Sequence, residues 1–283
     1  MGSKRKVWLE SPTETSHLFK YLRQDSARGV YGDDWAEKLA AELARLLGIP
    51  AASVELADRS GSPGVICRRV NDPGVVELVH GNELLGARQS GYDKELKREH
   101  PLYTVTAVAG CLRDAGAPAG HPEVGALSGF DVWAGYLLFD AWIANTDRHH
   151  ENWGVLIDRR DGRTRLAPSF DHGSSLGFNH AASVNSGQLA GMDAVERWCR
   201  KGRSSHFAGR PRLVDVAAEA LDLAGHDAWL YWMSRLRQLR PESWNGIIEQ
   251  VPSVRMSEAT RTFVGRVLDV NRRRLLDVCD RAA

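Results

Sequence analysis

The sequence predicts a two-lobed α+β fold, with a small β-rich lobe over residues 1–70 and a larger, mostly helical lobe over residues 71–283. Three observations carry this reading. The chain of 283 residues exceeds one average domain and falls short of two. Short alternating runs with turn residues between them dominate the first quarter, around one amphipathic helix. Helical periodicity then takes over, centred on a segment that is apolar on nearly every side.

Hydrophobic residues make up 43% and charged residues 26%, ordinary globular values that exclude disordered and disulfide-stapled classes. A formal charge of +1 provides no global field toward nucleic acid or membrane. No apolar run approaches the roughly 20 residues a bilayer requires. MGSKRKVWLE is basic but lacks the apolar stretch of a signal peptide. Cys67, Cys111, Cys199 and Cys279 lie far apart with no C-x-x-C, which reads as free thiols in a reducing cytoplasm.

Lys6 to Glu10 and Ser16 to Tyr21 read as strands around the turn Ser11-Pro12-Thr13-Glu14. GDDWAEKLAAELARLLGIP reads as a helix capped by Asp33 or Asp34 and ended by Gly48 and Pro50. Two strands follow, Ala52 to Ala57 and Gly64 to Val70, before Asn71-Asp72-Pro73-Gly74 breaks the pattern. DVWAGYLLFDAWIAN is expected to be a buried helix. Trp153 to Ile157 and Thr164 to Ser169 read as a hairpin around Asp161-Gly162. Leu213 to Leu239 and Ser257 to Cys279 are the last helical patterns.

The hairpin yields the main inference. Asn152 stands just before its first strand and Asp171 just after its second, so an antiparallel pair sets them at the same end of the ribbon. Asp147 lies in the polar loop that leaves the buried helix. Mg²⁺ takes hard oxygen ligands and keeps room for phosphate, which suits Asn152 and Asp171. Phosphoryl transfer needs a carboxylate to orient the acceptor hydroxyl, and Asp147 precedes Asn152 with the spacing that protein kinases use. Phe170-Asp171-His172-Gly173 stands where kinases carry D-F-G. A kinase also needs a cation for the phosphates. Lys20 is expected to point from its strand toward Glu37 in the first turn of the covering helix, with Glu42 as the fallback partner. Gly2, Ser3 and Lys6 suggest a short phosphate-covering loop.

ANTDRHHENWGVL followed by LAPSFDHGSSLG resembles the HipA-like serine/threonine kinases of bacterial toxin systems, themselves distantly similar to phosphatidylinositol 3/4-kinases. GSKRKVWL, LFKY and GVICRRV extend the resemblance over most of the chain. It implies a protein-kinase-like fold using ATP and Mg²⁺. It implies Asp147 as catalytic base, Asn152 and Asp171 on Mg²⁺, Lys20 on the phosphates paired with Glu37, and His149 near the nucleotide or the transferring phosphate. Cys67, Arg68 and Arg69 would form the hinge toward adenine. The implied acceptor is a protein Ser/Thr, with a small molecule second and a phosphoinositide third, and an antitoxin-like protein is an implied partner. Toxin relatives carry an additional N-terminal subdomain and several loop glycines, and the serine they autophosphorylate would fall before Met1, with Ser3 as the available substitute. A nucleotide-binding pseudokinase remains the non-enzymatic alternative.

Plainer readings stand beside these. Asp147 could be a turn aspartate, Lys20 a solvated edge lysine and Glu37 a helix-start carboxylate. His149, His150 and His172 raise a transition-metal phosphohydrolase, although no His-x-x-x-His helix supports it. His150 is expected at the surface. Asp140 is expected to hydrogen-bond to the loop of Asp147. Trp133, Trp142, Trp229 and Trp232 read as core. Arg197 to Arg212 reads as a solvated basic loop, or as a docking surface for an acidic or phosphorylated substrate or for nucleic acid within a substrate complex. Arg272 to Arg274 read as solvated, and Ser174 and Ser175 as ordinary loop serines open to phosphorylation.

Overall fold

The computed structural model describes residues 5–10, 16–25 and 29–282. In chain order the elements are β1 (Lys6–Glu10), β2 (Ser16–Tyr21), β3 (Gln24–Asp25), β4 (Gly29–Val30), α1 (Asp33–Leu47), β5 (Val54–Arg59), β6 (Ser62–Arg68), β7 (Val76–His80), α2 (Gly81–Arg88), α3 (Val105–Leu112), α4 (Gly129–Trp142), β8 (Gly154–Asp158), β9 (Thr164–Leu166), α5 (Ala181–Asn185), α6 (Met192–Arg200), α7 (Leu213–Ala224), α8 (His226–Gln238), α9 (Pro241–Glu249) and α10 (Glu258–Ala282). The turn expected at Ser11 to Glu14, and Gly2 and Ser3, lie outside the described residues.

β1, β2, β6 and β5 form an antiparallel sheet in that order. Successive side chains point to opposite faces. The register sets Lys6 opposite Lys20, Trp8 opposite Leu18, Leu18 opposite Cys67 and Cys67 opposite Val54. These residues therefore share one face. α1 packs over part of that face, where Ala41 joins Val54, Val65 and Cys67 in a small apolar cluster. That packing fixes where the polar side of α1 meets β2.

The start of α1 differs from expectation. Gly32 is the N-cap, and neither Asp33 nor Asp34 caps the helix. Both aspartates are buried in the first turn, where the helix dipole favours a carboxylate, and Asp34 pairs with Arg255 at 2.7 Å. Gly48 ends the helix in the left-handed conformation, at φ 81°.

β5 and β6 are displaced by about two residues from the expected strands. β7 was not anticipated. It pairs with β8, so the hairpin of β8 and β9 becomes a three-stranded sheet. A five-residue strand that pairs with a partner far along the chain leaves little local signal. Gly162 turns the hairpin at φ 71°.

α4 is the buried axis. Its N-terminus carries a full capping box between Ser128 and Asp131. α3, α7, α8 and α10 all pack on it, which is why its sequence is apolar all round. A Cβ on Gly135 would lie 2.3 Å from the Trp232 ring, so only glycine lets α8 approach this closely. Trp133, Trp142 and Trp232 are fully buried, and Trp229 is partly buried against the same core. Gly225 leaves helical geometry and divides the expected Leu213 to Leu239 helix into α7 and α8. The expectation of a solvated arginine run on α10 holds only for Arg273, which is exposed. Arg272 donates to Leu236 O and Arg274 to Cys199 O, both from partly buried positions. In the basic stretch, Arg200 pairs with Glu196 at 2.7 Å, Arg212 with Asp215 at 2.7 Å and Arg210 with Glu99 at 3.4 Å. Among the described residues no helix is long and apolar enough to cross a membrane.

Candidate active site

A cleft of about 710 Å³ opens between the four-stranded sheet and the loops at the end of α4. Lys6, Trp8, Leu18, Lys20, Val54 and Cys67 line it from the sheet, and Glu37 from α1. His149, Asn152, Phe170 and Asp171 line it from the other side.

Lys20 is the joint between the two sides. Its Nζ lies 2.5 Å from Glu37 Oε1 and 2.8 Å from Asp171 Oδ1. Burial works against its charge, but Asp171 and Glu37 outweigh that cost and hold its pKa well above the ordinary lysine value. Glu42, the fallback partner, turns away to Lys38 at 2.7 Å. Cys67 sits beside Glu37, and burial, followed by that carboxylate, pushes its thiol pKa up. A buried, protonated thiol is a packing group.

The loop after α4 is built on one buried ion pair. Arg148 grips Asp140 through two hydrogen bonds, Nε to Oδ2 at 2.6 Å and Nη2 to Oδ1 at 2.7 Å. The same guanidinium donates to Asn152 O at 2.8 Å and to Ser169 Oγ at 3.0 Å. It thereby ties α4, the loop and the end of the hairpin together. Asn145 adds a bond to Asp140 Oδ1 at 2.8 Å and accepts from the Asp147 backbone at 3.1 Å. His172 is buried against Arg148 and Ser169. Burial first, and then the charge of Arg148, keep it neutral by lowering its pKa far below the usual value.

Asn152 donates its amide nitrogen to Asp147 O at 2.7 Å, so the amide oxygen is the atom it can offer to a ligand. Asp171 holds a left-handed backbone at φ 62°, an uncommon conformation for a non-glycine residue. Its side chain is 44% exposed despite the bond to Lys20. Asp147 presents a carboxylate bonded by His206 Nε2 at Oδ1 (2.8 Å) and by Ser174 Oγ at Oδ2 (3.0 Å). Burial raises its pKa, but His206, His149 and Ser174 outweigh this and hold it below the ordinary aspartate value. His149 accepts from Glu151 N at 3.1 Å, and burial lowers its pKa to about 4, so it faces the cleft as a neutral ring.

The structure thus brings together Lys20, Glu37, Asn152, Asp171, His149, Lys6 and Cys67 on one cleft, with Asp147 joined to it through Asn152. Arg68 and Arg69 also line it, but their backbone N–H groups are engaged within the sheet, by Ser53 O and Ser16 O, each at 3.0 Å. The Arg69 side chain lies over the Trp8 ring at 4.7 Å. His150 contradicts the expected surface position. It is 1% exposed, with Nδ1 2.8 Å from the Tyr92 hydroxyl, because the loop turns inward under His100 and Tyr103. Sequence reasoning missed His206 as the partner of Asp147, read Ser174 only as a loop serine, and missed β7, whose Val76 and Leu78 line the cleft. Among the described residues, no group of three or more His, Cys, Asp or Glu side chains is placed to hold a metal ion. The oxygen pair of Asn152 and Asp171 fits a hard cation that takes its remaining ligands from phosphate and water.

The family profile of the HipA-like C-terminal domain matches residues 1–229. No curated protein sequence matches the chain. Among solved structures, the Helicobacter pylori proinflammatory kinase CtkA is similar over 98% of this chain and 94% of its own, at 20% identity and a TM-score of 0.76. HipA of Shewanella oneidensis MR-1, in a toxin–antitoxin complex with HipB and operator DNA, is similar over 100% of this chain and 66% of its own, at 14% identity and a TM-score of 0.64. Matched by that profile over residues 1–229, and similar in fold to these two structures, the chain belongs to the HipA-like C-terminal domain family.

Proposed function

We propose that this protein is an ATP- and Mg²⁺-dependent kinase that transfers the γ-phosphate to a hydroxyl, a protein Ser/Thr in the first instance. One observation carries the reading: Lys20, paired with Glu37, faces Asp171 and Asn152 across a cleft of nucleotide size, with Asp147 anchored beside them.

Each group has work that its surroundings suit. Lys20 stays charged and is held extended, so its ammonium meets the α- and β-phosphates. The oxygens of Asn152 and Asp171 would hold Mg²⁺, which when bound neutralises charge building on the transferring phosphoryl group. Asp147 stays ionised and orients the acceptor hydroxyl. The new P–O bond forms to that oxygen, the bond from the γ-phosphorus to the β,γ-bridging oxygen breaks, and ADP leaves. The hydroxyl proton passes to Asp147 and then to solvent. His149, neutral, offers a hydrogen-bonding ring with no added charge. Cys67 to Arg69 and the sheet face of Trp8 and Leu18 provide the adenine end, with Lys6 near the phosphates. An antitoxin-like partner, after the Shewanella complex of HipA with HipB, and a cytoplasmic location belong to the same reading.

The test is transfer of labelled γ-phosphate with Mg²⁺ by wild type and Asp147→Asn, alone and with a cell lysate. Label on protein with wild type only supports a protein kinase. Nucleotide-dependent thermal stabilisation without labelled protein shifts the reading to a small-molecule kinase or a nucleotide-binding pseudokinase. No response to nucleotide at all removes the kinase reading.

A further inference from the structure

His206 reaches Asp147 from a distant part of the chain, in the loop between α6 and α7. That loop is pinned on every side. Ser205 N donates to Thr146 O, Glu99 N to Ser205 O and His100 N to His206 O, at 3.1, 3.1 and 3.0 Å. Ser204 Oγ accepts from His206 N and Phe207 N, each at 3.2 Å, and Arg203 bridges back to Arg212. The ring itself is buried, at 3% exposure for the residue, and lies edge-on to His149 at 5.2 Å.

The two nitrogens of the ring face two oxygens. Nδ1 lies 2.6 Å from Lys97 O, and Nε2 lies 2.8 Å from Asp147 Oδ1. A carbonyl only accepts, so Nδ1 carries hydrogen. A neutral ring would then turn the Nε2 lone pair onto a carboxylate. A proton therefore sits between Nε2 and Oδ1, and the two groups bond as a charge-assisted pair. With Ser174 on Oδ2, the carboxylate plane is held at both oxygens. The groups that face the ring are Asp147 and His149 from the loop after α4 and the Lys97 carbonyl from the segment before α3.

We infer that His206 is the positioning residue of this site, locking the Asp147 carboxylate through Nε2–H so that one oxygen stays aimed at the acceptor hydroxyl. The inference rests on the kinase reading. It makes His206 act on the rate of transfer and not on nucleotide binding, because the ring bonds the Asp147 carboxylate and does not itself line the cleft, touching its lining only at the Lys97 carbonyl and the edge of His149.

The intact protein is assayed for ATP–Mg²⁺ turnover with water as acceptor and for labelling of lysate protein, as wild type, His206→Gln and His206→Leu. Glutamine can still extend an N–H toward Asp147; leucine cannot. A misplaced reacting group costs on the order of 10²-fold, so kcat is expected to fall about 10- to 100-fold in His206→Leu and to recover within about 5-fold of wild type in His206→Gln, with KM for ATP changed less than about 2-fold. Equal losses in both variants, or a rise in KM that matches the fall in kcat, overturn the positioning role. A ¹⁵N NMR spectrum of wild type and Asp147→Asn serves even if His206→Leu does not fold. Both His206 nitrogens are expected as N–H, with Nε2 shifting in Asp147→Asn. A lone pair at Nε2 that ignores Asp147→Asn overturns the inference. Wild type that ATP does not stabilise and that transfers phosphate to neither water nor protein fails differently: it removes the kinase reading and the positioning role along with it.

Discussion

Lys20 with Glu37 and Asp171, and Arg148 with Asp140, are both cation–carboxylate clusters whose members meet across elements. They differ in their access to water. Arg148 and Asp140 are each 3% exposed, whereas Asp171 is 44% exposed. Arg148 also spreads its donors over Asn152 O and Ser169 Oγ, so the buried charge is satisfied by fixed protein groups. The first cluster leaves a carboxylate open to the cleft, where a ligand can compete for it. The comparison separates a frame from a site: closed and saturated charges hold the loop, while a half-open pair next to a cleft is available for chemistry.

The largest effect should come from breaking the frame. Arg148→Met leaves Asp140 buried without its partner and should cost about 3–5 kcal/mol of stability, read as the shift in a urea midpoint. An unchanged midpoint would mean that Arg148 is no more structural than Lys20. Breaking the site should leave the fold standing. Asp171→Asn keeps Lys20 paired with Glu37, so the stability read from a urea midpoint should change by less than about 1 kcal/mol. Phosphoryl transfer should fall on the order of 10²–10³-fold, as when other oriented electrostatic groups are lost. A variant that unfolds instead would erase the contrast. The smallest effect is acid sensitivity, which sharpens the comparison because it belongs to the buried side. Burial holds His150 at about 4, below its unfolded value, and lowers His172 well below its usual value too. The unfolded chain takes up these protons first as pH falls. Stability is therefore fully present above about 6.5 and declines toward pH 4. His150→Asn should flatten part of that slope in thermal melts at stepped pH.

Much of the scaffold is legible from local pattern. β1 and β2 run over the expected residues because each is a short run rich in β-branched, aromatic or other apolar residues beside a turn signal in the sequence. α4 is legible because an all-apolar helix has no alternative to burial. The hairpin is marked by Asp161-Gly162. Lys20 beside Glu37 follows from a strand covered by a helix, a relation that short range nearly dictates. The rest depends on partners that no window contains. The cap of α1 went to Gly32 because Asp34 is drawn to Arg255, which lies 221 positions away. His206 sits among arginines that look like a solvated loop, and only the pinning of that loop to residues 97–100 and Thr146 turns its ring toward Asp147. His150 reads as polar and exposed until Tyr92, His100 and Tyr103 close over it.

By itself the sequence determined which residue types this protein can bring to the candidate site: a strand lysine, a helix glutamate, and Asp147, Asn152 and Asp171 strung along one loop and hairpin. It also determined the axis they hang from, since periodicity and turn chemistry act over a few residues. Tertiary structure alone decided which of these charges stay open and which are sealed. It chose Asp140 for Arg148 and Lys20 for Asp171, and it placed His206 on Asp147. The reason is that burial and charge pairing depend on distance through space, and a desolvated group is stable only where the whole fold supplies its partner.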